Sequence, residues 1–319
     1  MSAITPRLGK QNIVYRVINK LYRHLIEEPR RESLKDRLLS LPPSISADKS
    51  LGFTLHMMVC KRDLKMAVCS ALVANFHCGV AFDWIFHDDG SLNNEDERFI
   101  LSRLPKTKVV RRQEADTFAN EKLKAYPKIL DYRRNQIMAL KIVDVRIWGK
   151  GDKFGYVDSD VLFVKKPDFY LDALANREPK NYFNKDIKNA YVKSSDQIEE
   201  AIGIRPFERG NAGLWVMHRQ DIDLDKIEEW LNHPGFSDCL YDYTLDQTFI
   251  NMLAKNSSNG VDYFPVGYDV NLYKTINEQV IDKHYVGAIR HGYELEGLDY
   301  LLNRNSFEKN WLKFINDVN

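Results

Sequence analysis

Two aspartates separated by one small residue, Asp158-Ser159-Asp160, follow the apolar run Phe154 to Val157 and precede Val161-Leu162-Phe163. Side chains alternate along a strand, so the two carboxylates point the same way. Convergent carboxylates repel unless a cation lies between them. A hard divalent ion held like this keeps positions open for phosphate oxygens. The ordinary alternative is a strand-end turn carrying two solvated acids. A second acidic tip, Asp88-Asp89-Gly90-Ser91, ends the apolar segment Phe82 to His87. It suits a sharp turn with Ser91 or Asn94 capping the next helix, or a ligand-binding acid at Asp89. Lys61 and Arg62 follow Val59-Cys60; either is a phosphate contact or part of a solvated basic turn.

The elements that must position these groups are legible in the hydrophobic patterning. Strands are expected over 53–60, 82–87, 108–111 and 154–157, and helices over 63–76, 94–103, 114–125 and 131–147. Helices at 194–202, 224–231 and 243–254, and strands at 213–218, 261–266 and 284–289, make the second half. Helical turns follow in the last twenty-five residues. Alternating strands and helices imply an α/β fold with a mostly parallel central sheet flanked by helices. Ligands in such sheets sit at the carboxyl ends of strands, where both acidic tips fall. Ahead of this domain (51–319), residues 1–50 are expected to form a basic amphipathic helix and a linker. Ile13, Val14, Val17, Ile18, Leu21 and Leu25 make its apolar stripe, and Pro29, Pro42 and Pro43 mark the linker over 27–50.

A D-x-D at the end of a central strand resembles the hallmark of nucleotide-sugar glycosyltransferases with the GT-A fold. Three later segments are similar to those of family 8, the glycogenin and lipopolysaccharide galactosyltransferase group. They are Asn211-Ala212-Gly213-Leu214, Asp246-Gln247-Thr248-Phe249-Ile250-Asn251 and His284-Tyr285-Val286-Gly287-Ala288-Ile289-Arg290. The likeness spans about residues 52–292. It implies a metal held by Asp158, Asp160 and His284. A nitrogen donor beside two carboxylates suits Mn²⁺ better than Mg²⁺. It also implies donor contacts from Ser159, Asn211, Ala212 and Gly213, close backbone approach at Gly287, and a cation for the diphosphate at Arg290, where the family has Lys. Asp246 and Gln247 then face the reacting sugar, with retention of configuration. Lys141 lies near where the family places a donor-contacting Arg. The Asp88-Asp89-Gly90-Ser91 turn resembles one in family 2, where the acid helps bind the nucleotide. The expected activity is transfer of a sugar from a nucleotide-diphosphate donor, a UDP-sugar, to a glycan, glycolipid or protein acceptor.

Composition bounds these readings. The 319 residues carry 46 Lys+Arg against 45 Asp+Glu, which argues against a nucleic-acid partner. Residues 1–40 hold nine basic and four acidic side chains, a net +5, leaving −4 elsewhere. Cys60, Cys69, Cys78 and Cys239 lack metal-site spacing and read as free thiols. Met1 to Arg7 lacks the apolar core of a signal peptide, and no stretch is long enough to span a bilayer. The expectation is a cytoplasmic protein with peripheral contact on the inner membrane face through residues 10–26. Two alternatives use the same motif: a phosphatase of the haloacid dehalogenase type, whose nucleophile motif is also D-x-D, and a non-catalytic sugar-nucleotide-binding protein of the same fold.

Overall fold

The computed structural model describes residues 20–43, 52–270, 272, 275–304 and 306–318. Most of the expected basic helix, residues 1–19, lies outside them. Ten strands form one sheet: β1 Leu55–Val59, β2 Trp84–Asp88, β3 Lys108–Val110, β4 Lys153–Val157, β5 Val161–Phe163, β6 Asn181–Lys185, β7 Gly210–His218, β8 Val261–Tyr263, β9 Tyr268–Asp269 and β10 Asp282–His284. Their order is β3-β2-β1-β4-β7-β6-β9-β10-β5, with β8 beside β6. β1 pairs in parallel with β2 and β4, and β2 with β3. β7 runs antiparallel between β4 and β6, and β10 antiparallel to β5. The sheet is mostly parallel and flanked by helices, as expected.

The first strands are buried on both faces, which explains their nearly continuous apolar character. Alternation sorts β4 cleanly: Phe154 and Tyr156 join one core with Trp215, Met217 and Phe249, while Val157 joins the other with Leu214, Val216 and Tyr285. The helix Leu64–Cys78 is buried nearly all round, so it shows almost no polar face. It stops at Gly79, whose φ of 68° is a left-handed helix cap.

Three expectations change. The linker over 27–50 contains a helix, Glu28–Leu39. Pro29 lies just after the π-helical turn Arg23–Glu27, the kind of local widening that lets a helix continue through a proline. Buried Leu34 and Leu38, and Arg31 paired at 2.8 Å with fully buried Glu294, dock that helix on the body. The helix expected over 131–147 is three pieces: Pro127–Asn135, a 3₁₀ turn Ile137–Lys141 and Val143–Trp148. Gln136 breaks it, in extended conformation with its side chain accepting from the Met138 N–H, and the break turns Lys141 inward. The strand expected over 284–289 ends at His284, and Gly287–Ile289 is a 3₁₀ turn.

Candidate metal centre and pocket

The D-x-D is a turn between β4 and β5, closed by the Val161 N–H donating to the Asp158 carbonyl at 3.0 Å. Antiparallel pairing sets His284 opposite Val161, which brings the ring beside Asp160 across 124 residues of chain. His284 Nε2 lies 3.1 Å from Asp160 Oδ1 and 3.8 Å from Asp158 Oδ2. Ligand atoms of all three lie within 4.8 Å of one another. Two carboxylates and an imidazole fit a divalent ion by donor type and spacing.

The orientation of the His284 ring is settled by Asn211. The Asn211 Nδ2 donates to Asp186 at 2.7 Å, so its Oδ1 faces His284 Nδ1 at 2.9 Å and the Gly213 N–H at 2.8 Å. Nδ1–H therefore donates to Asn211, and Nε2 faces the aspartates. Such a partner behind a ligand fixes tautomer and aim. Burial lowers the His284 pKa, but Asp160 and Asp158 outweigh it and the net shift is upward. Burial also opposes ionisation of Asp160, yet His284, Arg290 and Lys141 hold it down at about 2.

Gly213 makes room for this arrangement. A Cβ there would lie 2.6 Å from His284 Nδ1 and 2.9 Å from Asn211 Oδ1, and closer still to His284 Cε1. Its carbonyl also accepts from the Asp158 N–H at 2.7 Å.

Each carboxylate has a further cation. Lys141, itself buried, donates to Asp158 Oδ2 at 2.8 Å. Burial lowers its pKa, but Asp158 and Asp246 more than compensate, so it stays charged. Tyr156 donates to the other oxygen of Asp158 at 2.8 Å. Arg290 pairs with Asp160 at 3.0 Å and with Asp63 at 2.8 Å, and reaches Ser159 Oγ at 3.3 Å.

These groups, Tyr156 apart, line a cavity of about 590 Å³ together with Arg62, Asp89, Ala212, Gly213, Tyr243, Asp246, Gln247 and Gly287. Gln247 accepts from the Ala212 N–H at 3.1 Å and donates to the Ala190 carbonyl at 3.3 Å, which presents it to the cavity in one orientation. Asp246 is buried, and burial pushes its pKa up to about 6 although Lys141 pulls the other way. Asp89 lines the cavity, but its Oδ1 also accepts from the Ser91 N–H and hydroxyl, closing the turn. Asp88 is a buried pin for Gly90, Leu92 and Arg111.

The sequence candidates are fourteen: Lys61, Asp89, Lys141, Asp158, Ser159, Asp160, Asn211, Ala212, Gly213, Asp246, Gln247, His284, Gly287 and Arg290. All but one line the cavity. Lys61 does not: its ammonium pairs with Asp96 at 3.3 Å on the exposed side of its turn, and Arg62 lines the cavity in its place. Asn211 does line it, yet its amide is taken up by His284, Gly213 and Asp186. The sequence reading missed Tyr156, Asp63 and Asp186. Tyr156 was findable, because two positions before Asp158 on a strand means the same face. Asp63 and Asp186 carry no local signal.

No protein-family model matches the chain, and no curated protein sequence matches it. Its fold is similar to that of the WbbM bifunctional glycosyltransferase in its apo structure, with a TM-score of 0.50 and 12% identity over 85% of this chain and 53% of that one. The chain thus spans about half the length of that protein. Similar too are mouse xyloside xylosyltransferase 1 (TM-score 0.46, 11% identity, 73% of this chain and 97% of that one) and galactosyltransferase LgtC with donor and acceptor sugar analogs (TM-score 0.43, 14% identity, 83% and 96%). At such identities likeness concerns the fold alone, and the fold is GT-A-like.

Proposed function

We propose that this chain is a metal-dependent glycosyltransferase that moves a sugar from a nucleotide-diphosphate donor, a UDP-sugar first among them, to a glycan, lipid or protein acceptor. One observation carries the reading: Asp158, Asp160 and His284 converge in the cavity that also holds Arg290, Asp246 and Gln247. Asp158, Asp160 and His284 would hold Mn²⁺, or Mg²⁺ as the second choice. The ion, when bound, neutralises charge on the leaving nucleoside diphosphate.

The remaining work belongs to the chain's own side chains. Lys141 and Tyr156 hold Asp158 in one rotamer, and Asn211 holds His284. Arg290 and Ser159 offer a cation and a hydroxyl to the diphosphate, and Gly287 leaves its backbone open there. Asp246 and Gln247 face the sugar, where a fixed carboxylate stabilises developing positive charge at the anomeric carbon. The resemblance to family 8 makes retention the stereochemical outcome to test.

The deciding experiment is slow hydrolysis of UDP-, GDP- and other sugar nucleotides, followed with Mn²⁺ and then with EDTA. Turnover is expected with a UDP-sugar and Mn²⁺ and is lost in EDTA. Asp158→Asn and Asp160→Asn should each lower it by on the order of a hundredfold with the circular dichroism unchanged. Metal-independent turnover, or full activity in both variants, refutes the reading. Hydrolysis of p-nitrophenyl phosphate with Mg²⁺ in its place supports the phosphatase alternative.

A further inference from the structure

Residues 20–39 are helical throughout, but only the later part docks on the body. Leu34 and Leu38 are buried, whereas Leu21, Tyr22, Leu25 and Ile26 are 53%, 53%, 66% and 55% exposed. Four large apolar side chains on two successive turns form a contiguous patch, of a kind that marks an interaction surface rather than chance exposure. The sequence extends the pattern upstream: apolar pairs recur every four residues, as Ile13-Val14, Val17-Ile18, Leu21-Tyr22 and Leu25-Ile26. Arg16, Lys20, Arg23 and His24 fill the intervening positions.

The patch lies at the pocket end of the molecule. Glu32 contacts Lys65 in the first turn of the helix Leu64–Cys78, and the Lys35 carbonyl meets Cys69 one turn later. Beyond the helix, Leu41 accepts from Arg103, at the far end of the helix Asn94–Arg103. The two helices therefore run in the same sense. The segment before Glu28 thus extends past the start of Leu64–Cys78, where Asp63 lines the cavity. Residues 20–27, with the π-helical turn Arg23–Glu27, continue the helix by roughly two further turns beyond the docked part.

Charge identifies the occupant. Residues 10–26 hold Lys10, Arg16, Lys20 and Arg23 and no acidic side chain, whereas Arg30, Arg31, Lys35 and Arg37 of the docked helix are paired with Asp299, Glu294 and Glu308. A second copy of the segment would meet like charge, so self-pairing is disfavoured. An apolar stripe flanked by Lys and Arg matches a helix lying in the surface of an anionic bilayer. We propose that residues 10–26 dock this chain on anionic phospholipid membranes and set the pocket end facing the lipid. The proposal goes beyond the catalytic reading and stands or falls without it.

The test uses the full chain with phosphatidylcholine vesicles and with mixed phosphatidylcholine–phosphatidylglycerol vesicles, in co-sedimentation and gel filtration. Binding to the anionic vesicles is expected to exceed binding to the neutral ones at least tenfold, since each basic residue near such a surface is worth about fivefold. It should fall as salt is raised. The double variant Leu25→Asp, Ile26→Asp should lose on the order of tenfold or more, with its unfolding transition unchanged because both side chains are exposed. Equal binding to both vesicle types, or wild-type binding by the double variant, overturns the proposal. So does a wild-type dimer that ignores vesicles and that the double variant converts to monomer.

Discussion

Gly213→Ala tests whether the metal group depends on one missing methyl group. The added Cβ would lie 2.6 Å from His284 Nδ1, against an ordinary contact of 3.4 Å. The ring must therefore withdraw by about 0.8 Å at that atom, and further at Cε1. Withdrawal breaks the 2.9 Å bond to Asn211 and moves Nε2 off the 3.1 Å position beside Asp160. Forcing a methyl into a packed site costs about 1–3 kcal/mol. Misplacing a ligand whose supporting partner is lost lowers metal affinity by about 10–100-fold. Urea unfolding measures the first, and Mn²⁺ titration followed by electron paramagnetic resonance measures the second. The control is the double variant Gly213→Ala, His284→Ala, in which the ring is gone and the methyl has space. Its loss of stability should fall short of the sum of the two single losses by more than the ~0.5 kcal/mol scatter of independent sites. Strict additivity, or a Gly213→Ala protein that binds Mn²⁺ like the wild type, refutes the argument.

Two pH effects follow from buried groups. Asp246 has its pKa raised by burial to about 6 from the ordinary 3.8 of an aspartate, so the fold binds its proton more tightly than the unfolded chain does. Its contribution is intact below pH 3.8 and is lost as pH rises through 6, a cost of up to roughly 3 kcal/mol at neutral pH. Asp246→Asn should recover part of that in urea unfolding at pH 8, gain nothing at pH 4, and lower sugar transfer; equal gains at both pH values would count against it. His56 and His87 stack and share one hydrogen bond at 2.9 Å inside the sheet. Burial, then the Arg133 charge, depresses His87 to about 3, and burial, then His87, holds His56 well below 6.5. The unfolded chain takes up both protons first, so stability should fall below pH 6.5 by up to roughly 2.7 kcal/mol per pH unit. Replacing both histidines with apolar residues should flatten that slope, and an unchanged slope refutes the assignment.

Much of the site was legible because its chemistry sits at strand ends and on one helix face. Asp158, Asp160, Asp246, Gln247 and His284 needed only alternation, helical spacing and the resemblance to bring them together. Other parts were hidden for definable reasons. β6 escaped notice because Asn181-Tyr-Phe-Asn184-Lys185 lacks the aliphatic run of a central strand. Its two asparagines tolerate burial because Asn181 donates to Asp221 at 2.7 Å and Asn184 to Asp282 at 2.9 Å, and these partners lie 40 and 98 residues away. The helix Glu28–Leu39 was obscured by Pro29 and Ser33 within it and by Pro42-Pro43 just beyond, and its docking rests on a buried Glu294 that no local pattern flags. Lys61 and Arg62 were indistinguishable by type, and only the turn decides which faces the cavity.

Asp158 is held by Lys141, and Asp160 by Arg290 with the His284 ring 3.1 Å away. These partners come from a 3₁₀ turn, a later turn and β10, so segments spread over 150 residues offset the repulsion within a two-residue motif. Under the proposed function, a metal ion held by Asp158, Asp160 and His284 would bind the neutral form of the imidazole, so its affinity would fall as pH drops. Arg290 and Lys141, fixed against the two aspartates, would then offer positive charge to a diphosphate, which is why a cation-rich rim around an acidic tip would suit a phosphate-bearing donor better than a bare metal ion.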